Sequence, residues 1–565
     1  MNQRQELVKR LGEAYPEPTV ALNPLTGLQL EDLKQIARDT ALQGVRQPLV
    51  LAKHLSSHAK KLVDIIGEES EYLPSAGDPR FVDETWQKNG LYNRLMQSYL
   101  ATNETLEEWV DDLDLDSIGR LRAAFLLRLI GDTISPTNTL LGNPEALREA
   151  KATGGKSLFR GMRNLISDIR NNHAIPSQVK GDAFIVGGNL ATTPGAVVFS
   201  NDVLELIQYT PSTEQVHRRP LIMVPAMINK FYAIDLTPDR SLVKFCVDKG
   251  IQIFQVSWAN PSEENADWGL EKYALSVIEA MTAVKSITRC KDLNVFALCS
   301  GAMMASAMAA YLEAHSDKMI HSMTIGVCML EMQQDDMELG AFSTPEIFSR
   351  VKARSKRAGI LRGHELASSM LWLRPQDLIY GNAVNNYLLG NNPPEFDLLY
   401  WNNDWTNLPA ALHGDVIDMF STGCLLKLGE MEISETALDL AAVDCDKFIL
   451  GALTDHITPW KACYRSGQAH GGNKEFLLSN SGHIQTLLNS PAKKRASYFV
   501  NKALPQDAEE WLAGATLEQG SWWGHWLAWL EPRSLQKKNA PKSLGNKTFP
   551  AGTAAPGTYV HQQSE

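Results

Sequence analysis

The chain has 565 residues, enough for two or three domains and a large core. A hydrophobic fraction of 44% and a charged fraction of 21% are ordinary for a globular protein, and a net charge of −11 argues against a dedicated nucleic-acid binder, which would carry a basic footprint. No apolar run reaches the roughly 18 residues of a membrane span, the stretch Ala302–Leu312 being too short, and the opening MNQRQELVKRLGEAYPEP lacks the apolar centre of a signal peptide.

Residues 1–30 are polar and broken by Pro16, Pro18 and Pro24, and are expected to be loose. Residues 31–178 read as a mostly helical domain. Ile118, Leu121, Phe125, Leu126 and Leu129 repeat along one helix face, with Asp116 or Ser117 as the cap. Thr153-Gly154-Gly155-Lys156-Ser157 resembles a phosphate loop but fails its spacing, because Ala150 stands where the first glycine is needed; it reads as an ordinary loop.

Residues 179–565 change texture. Ala196–Phe199 and Leu204–Tyr209 read as paired strands about the turn Ser200-Asn201-Asp202. Apolar runs follow at Leu221–Val224, Ile251–Val256, Leu293–Leu298, Ser322–Cys328, Phe448–Gly451 and Phe476–Leu478, mostly separated by helical or loop segments. Such alternation predicts a largely parallel sheet wrapped by helices. Residues of about 330–440 interrupt it and are rich in aromatics (Trp372, Tyr380, Tyr387, Tyr400, Trp401, Trp405), as a lid insertion would be. Trp522, Trp526 and Trp529 share one helix face, which predicts burial against the sheet, with an exposed docking face as the alternative. The stretch beyond Pro532, with Arg533, Lys537, Lys538, Lys542 and Lys547, reads as a solvated end.

The seven cysteines (246, 290, 299, 328, 424, 445 and 463) are scattered, with no C-x-x-C pair. This pattern predicts free thiols in a reducing cytoplasm, and no zinc or other metal site. One of them is placed for chemistry. The run Leu293–Leu298 ends at Cys299-Ser300-Gly301-Ala302, and an Ala- and Met-rich helix follows. A-x-C-x-G is a variant of the strand–turn–helix nucleophile elbow, which lifts its middle side chain out of the sheet over a helix N-terminus. A core role is the plainer reading of a lone cysteine. Two later apolar runs shift the balance, one ending at Asp455 and the other at His483. Singly, these would be a turn aspartate and a loop histidine. Together the order nucleophile, acid, histidine is that of an α/β-hydrolase. All three sit at strand C-terminal ends, where open α/β sheets build sites. The predicted fold is therefore α/β: an α/β-hydrolase core with an inserted lid and a mostly helical N-terminal domain.

Longer stretches resemble a known family. They include Asp202-Val-Leu-Glu-Leu-Ile-Gln-Tyr209, Ile228-Asn-Lys-Phe-Tyr232, Trp268-Gly-Leu270, Val384-Asn-Asn-Tyr-Leu388, Tyr400-Trp-Asn-Asn-Asp404, Asp455-His-Ile-Thr-Pro-Trp460, Leu478-Ser-Asn-Ser-Gly-His483 and Ala555-Pro-Gly-Thr-Tyr-Val560. From about residue 20 onward the chain resembles the polyhydroxyalkanoate synthases, and closely the class II, medium-chain-length type. By this likeness Cys299 matches the nucleophile, Asp455 and His483 the catalytic acid and histidine, and His456 the histidine adjoining that aspartate. The family elbow G-x-C-x-G-G here carries Ala297 and Ala302; V-P-P becomes Val224-Pro225-Ala226; and S-W-R-N-P becomes Ser257-Trp258-Ala259-Asn260-Pro261.

The resemblance implies polymerisation of (R)-3-hydroxyacyl-CoA with release of CoA through a Cys-bound acyl group. The coenzyme A thioester is substrate, and no cofactor is expected. The backbone N–H groups of Ser300 and Met227 are the expected oxyanion donors. The implied partners are 3-hydroxyacyl-CoA, the polyester granule surface with its coat proteins, and a second copy in a homodimer. The implied location is cytoplasmic, on the granule, with the Trp522–Trp529 helix and residues 1–175 as contacts. Rival readings are a thioesterase or esterase of the same fold, and a low-activity or non-enzymatic granule-associated paralogue.

Overall fold

The computed structural model describes residues 30–70, 72–75, 78–333, 338–372 and 375–563. The expected loose segment 1–30 lies outside them but for Leu30. Two units are distinct: Met1–Lys180 with Ala341–Ile347 and Glu365–Glu395, and Gly181–Gly340 with Phe348–His364 and Phe396–Glu565.

The first unit is helical. Its main helices are α1 (Leu30–Arg46), α2 (Pro48–Ile66), α3 (Gly90–Asp112), α4 (Ser117–Thr133), α5 (Pro144–Ala152) and α6 (Lys156–Asn171). Asp116 caps α4, its carboxylate accepting from Gly119 N at 2.7 Å. Phe81, Trp86, Met96 and Tyr99 form a buried cluster. Thr153-Gly154-Gly155 is the turn between α5 and α6, with both glycines at positive φ, so the loop expectation holds there.

Helix α6 is inverted relative to an ordinary surface helix. Its small and polar face is buried: Gly161 abuts the Tyr387 carbonyl so closely that a Cβ would lie 1.8 Å from that oxygen. Asp168 accepts from Tyr387 OH at 2.8 Å, and Asn164 donates to the Asn386 carbonyl at 3.0 Å. Its apolar face points outward, with Phe159 80%, Met162 56%, Ile166 42% and Ile169 50% exposed.

The second unit is built on a ten-stranded sheet. Its strands are β1 (Gly195–Ser200), β2 (Leu204–Tyr209), β3 (Leu221–Val224), β4 (Ile253–Trp258), β5 (Leu293–Leu298), β6 (Ile320–Gly326), β7 (Asp446–Ala452), β8 (Lys474–Ser479), β9 (Ser497–Val500) and β10 (Thr516–Gln519). They lie in the order β1-β2-β4-β3-β5-β6-β7-β8-β9-β10. The pairs from β4 through β8 are parallel, and the outer pairs are antiparallel. Helices α7 (Leu242–Asp248), α8 (Leu270–Thr288), α9 (Cys299–Ala314) and α10 (Trp460–Gln468) make the crossovers that parallel pairing requires. The strand order reverses between β3 and β5. This is the switch point where α/β sheets open a crevice, and the loops leaving both strands meet there.

Every predicted strand is present. Two are displaced by two residues: β4 runs on to Trp258, and β6 stops at Gly326 because Val327 turns to φ 44°, a strained value for a β-branched residue. Strands β9 and β10, at one end of the sheet, were not foreseen.

Two expectations are corrected. The aromatic helix α11 (Trp522–Leu530) is buried as its shared Trp face predicts, and only its expected role as a contact surface is corrected: Trp522 and Trp523 are 1% exposed and Trp526 0%. Trp526 Nε1 donates to Thr324 Oγ1 at 2.9 Å, and its ring packs on Phe296 at 5.3 Å. The stretch after Pro532 is not a solvated end. Lys537–Asn539 pairs antiparallel with Gln215–His217, Arg533 donates to Asp446 at 2.8 Å, and Ala554 bridges Ala196. No described helix is long and apolar enough to cross a membrane.

Candidate active site

Cys299 follows β5 directly and opens α9, at φ 48°. The left-handed turn is the strained geometry that a nucleophile elbow requires. Gly301, in the first turn of α9, permits close packing of the loop after β3. A Cβ there would meet the Pro225 carbonyl oxygen at 2.1 Å. Neither Ala297 nor Ala302 is among the described residues with positive φ, and both are fully buried. The two family glycines that these alanines replace are thus not needed for left-handed backbone in this chain.

Asp455 follows β7 and His483 follows β8, and the two meet. His483 Nδ1 lies 2.7 Å from Asp455 Oδ2, and Cys299 is near enough for its charge to act on the imidazole. With Nδ1 engaged by the carboxylate, Nε2 is the ring atom left for the thiol. Asp455 is held on both oxygens. Oδ1 accepts from Ile457 N at 2.8 Å and Thr458 N at 2.9 Å. Oδ2 faces both His483 and Thr458 Oγ1, the latter at 2.9 Å.

Thr458 is the residue that sequence reasoning missed. Its hydroxyl lies 3.0 Å from His483 Nδ1 and 3.1 Å from the carbonyl of Val327. It therefore ties the acid and histidine to the turn after β6. The spacing Asp-x-x-Thr, which lets one side chain cap its own following turn, was the available signal. His456 is exposed, one residue beyond Asp455.

Electrostatics follows from this burial. Desolvation alone would pull His483 down, but the charges of Asp455 and Cys299 and the hydrogen bond to Asp455 outweigh it and raise the imidazole to about 10. Desolvation pushes Asp455 up, and His483 with the Thr458 and Ile457 amides brings it below the ordinary carboxylate range. Cys328 and Cys463 also lie close to Cys299. Both are buried, and desolvation with neighbouring negative charge pushes their thiols well up, so neither suits a thiolate role. Cys299 is the partly exposed member of the three.

The expected oxyanion donors flank Cys299 differently. Ser300 N–H belongs to the first turn of α9, whose leading amides lack helical partners. Met227 N–H donates to Ser300 Oγ at 2.9 Å, so a neighbour already accepts this donor.

Comparison with known proteins accords with this arrangement. Residues 77–246 match the family described as Poly-beta-hydroxybutyrate polymerase (PhaC) N-terminus, and residues 219–490 match the alpha/beta hydrolase fold. The chain is 44% identical to poly(3-hydroxyalkanoate) polymerase 1 of Ectopseudomonas oleovorans over 97% of this chain and 98% of that protein. It is 43% identical to polymerase 2 of the same organism over 95% and 96%. A poly(3-hydroxyalkanoate) polymerase subunit of Cupriavidus necator is 38% identical over 86% and 83%. With an α/β-hydrolase sheet carrying a cysteine elbow, and with full-length likeness at this level, the chain belongs to the poly(3-hydroxyalkanoate) polymerases, acyltransferases of the class II synthase type.

Proposed function

We propose that this polymerase joins medium-chain (R)-3-hydroxyacyl units, releasing CoA through an acyl thioester on Cys299. The observation that carries this reading is that Cys299, at its left-handed turn, and the bonded pair His483–Asp455 all stand at the ends of the parallel strands. Cys299 Sγ attacks the thioester carbonyl. The bond to the CoA sulfur breaks, and CoA leaves as the thiol with the proton held by His483. Thiol-for-thiol exchange keeps the acyl group activated. The 3-hydroxyl of another unit or chain end then attacks the Cys299 thioester, an ester bond forms, and the cysteine sulfur is released.

His483 is the base for that hydroxyl. Asp455 is buried, and both its oxygens are engaged by the turn and by His483, which suits a carboxylate that orients the imidazole. The tetrahedral oxyanion is stabilised by Ser300 N–H, and by Met227 N–H once the charged oxygen displaces the neutral Ser300 hydroxyl as acceptor.

The product is a water-insoluble polyester, and the enzyme works at its surface. Supporting this, the outward face of α6 is apolar and is flanked by Lys156, Arg163 and Arg170. Such a helix lies in an interface, with its apolar side buried and its cations at the rim. The medium-chain preference rests on likeness to class II members.

Purified protein given labelled (R)-3-hydroxydecanoyl-CoA should release CoA, yield polymer and carry label on Cys299. Cys299→Ala should do none of these. Free 3-hydroxy acid as the product would mean a thioesterase, label on another cysteine would remove Cys299, and faster turnover of 3-hydroxybutyryl-CoA would overturn the chain-length preference.

A further inference from the structure

The loop that carries Met227 is fixed at one end by the elbow itself. Met227 N–H donates to Ser300 Oγ, Trp258 Nε1 donates to the Pro225 carbonyl at 3.2 Å, and Gly301 lets that carbonyl sit against α9. If Met227 N–H turns to an oxyanion, the bond to Ser300 is given up during each turnover. Something else must then hold the loop in place.

The other end of the loop is Lys230. Its side chain runs inward and the residue is only 4% exposed. The ammonium donates to the backbone carbonyl of Gln562 at 2.6 Å and reaches that of Tyr559 at 3.4 Å. The carboxylate of Asp404 is near enough to favour the charge, but Tyr232 OH donates to it at 2.7 Å. The tail that supplies the two carbonyls is itself anchored. Thr558 N and Tyr559 N donate to buried Glu205 on β2 at 2.8 and 3.0 Å. Tyr559 OH donates to the Asn201 carbonyl at 2.8 Å, and Asn260 N donates to the Gln562 side chain at 2.7 Å. The backbone of the loop is held alongside: Trp401 Nε1 donates to the Lys230 carbonyl at 2.8 Å, and Thr406 N to that of Ile228 at 2.9 Å.

We infer that Lys230 and the Tyr559 and Gln562 carbonyls form a latch by which the C-terminal tail positions the Pro225–Met227 loop, and with it the Met227 N–H, over the reacting carbonyl at Cys299. Lys230 is a positioning residue; it touches neither Cys299 nor His483. A buried ammonium stripped of its acceptors is strongly disfavoured, so loss of the tail carbonyls drives the lysine to seek solvent and pulls the loop with it. Met227 N–H then leaves the line of approach to the oxyanion, while Cys299 and His483, on other elements, stay where they are. This rests on the reading of Cys299 as the acyl carrier and deepens it.

The test separates acyl transfer, which builds an oxyanion, from alkylation, which does not. Lys230→Met and a chain ended after Gly557 are compared with the full-length protein. For each, turnover of (R)-3-hydroxydecanoyl-CoA is measured beside the rate of Cys299 alkylation by iodoacetamide. Misplacing one oxyanion donor should lower kcat by about 10- to 100-fold, below the 10²–10³ for outright loss of a donor. KM should change little, and alkylation should stay within about 2-fold, as no oxyanion forms in it. Combining the two changes should cost no more than the truncation alone, because both break one latch. The truncation also removes the bonds to Glu205, so Lys230→Met decides should that protein fail to fold. Unchanged kcat in Lys230→Met, a parallel fall of alkylation and acyl transfer, or additive losses would each overturn the latch. Retained turnover in Cys299→Ala would instead overturn the reading on which it rests.

Discussion

The backbone N–H of Met227 donates to the side-chain oxygen of Ser300 at 2.9 Å, joining the loop after β3 to the residue beside the nucleophile. On the proposed mechanism that hydroxyl competes for the donor that the oxyanion would take. Ser300→Ala removes the competitor and leaves the Ser300 backbone N–H in place. The expected result is a kcat raised by a factor of roughly 2–5, about the worth of one neutral hydrogen bond, with KM unchanged. A fall of tenfold or more in steady-state turnover would show that the hydroxyl itself is needed.

Thr458 braces the acid–histidine pair from one side, and its side chain is close to Asp455, His483 and the Val327 carbonyl at once. Thr458→Val keeps the shape and removes the hydroxyl. Acylation is expected to slow by about 10-fold, the lower end of what supporting shells contribute, with the fold retained. Wild-type burst kinetics in this variant would remove Thr458 from the site.

The titration of His483 gives a signed pH dependence. Its folded-state value is raised, to about 10, from an unfolded value of about 6.5. The stabilisation is therefore complete below about pH 6.5 and is lost as pH rises through about 10. Asp455 behaves oppositely: its lowered value contributes stability above about pH 3.9 that is lost as pH falls through its folded-state value. The difference in Tm between wild type and His483→Gln should shrink steadily across the alkaline range, as followed by calorimetry. A difference that stays constant would mean the imidazole is not charged in the folded protein. The same variant should acylate about 10² or more times slower.

Ala297 and Ala302 occupy positions where family elbows carry glycine, yet neither adopts positive φ and both are buried. Restoring glycine at both should not raise turnover. Within α9, Ala302→Gly should cost about 1 kcal/mol of stability, seen as a lower Tm. A clear gain in kcat would show that the alanines restrain the elbow.

The outward face of α6 should govern attachment to polymer and not chemistry. Replacing Phe159 and Ile166 with Ser should turn a fluorescent ring around polyester granules into diffuse signal while leaving turnover of soluble 3-hydroxyacyl-CoA within about 2-fold, as surface changes rarely perturb a fold. Rings that persist in this variant would place attachment elsewhere. The buried α11 tryptophans offer no such face.

The placement of Cys299, Asp455 and His483 was legible in the sequence because each follows an apolar run long enough to read as a buried strand, and chain order fixes the edge of a parallel sheet on which they stand. The pairing Gly195–Ser200 with Leu204–Tyr209 was legible for a similar reason, a turn between two β-rich runs. Three things needed tertiary structure. Strand β10 is an edge strand whose four residues are all exposed, so it lacks the apolar signature that marks the interior; β9, paired between β8 and β10, is only four residues long, too short a run to stand out. The lysine-rich stretch beyond Pro532 looks like a solvated end by composition. It is folded because its partners, such as Glu205, Asn201 and Lys230, lie more than 300 residues earlier, and no local pattern records a contact of that separation. Thr458 and Met227 act through individual hydrogen bonds, the Thr458 hydroxyl beside Asp455, His483 and the Val327 carbonyl and the Met227 N–H to a serine hydroxyl. Such bonds leave no periodicity in a sequence, and only the packing of β3, β5, β6, β7 and β8 side by side brings their partners within reach.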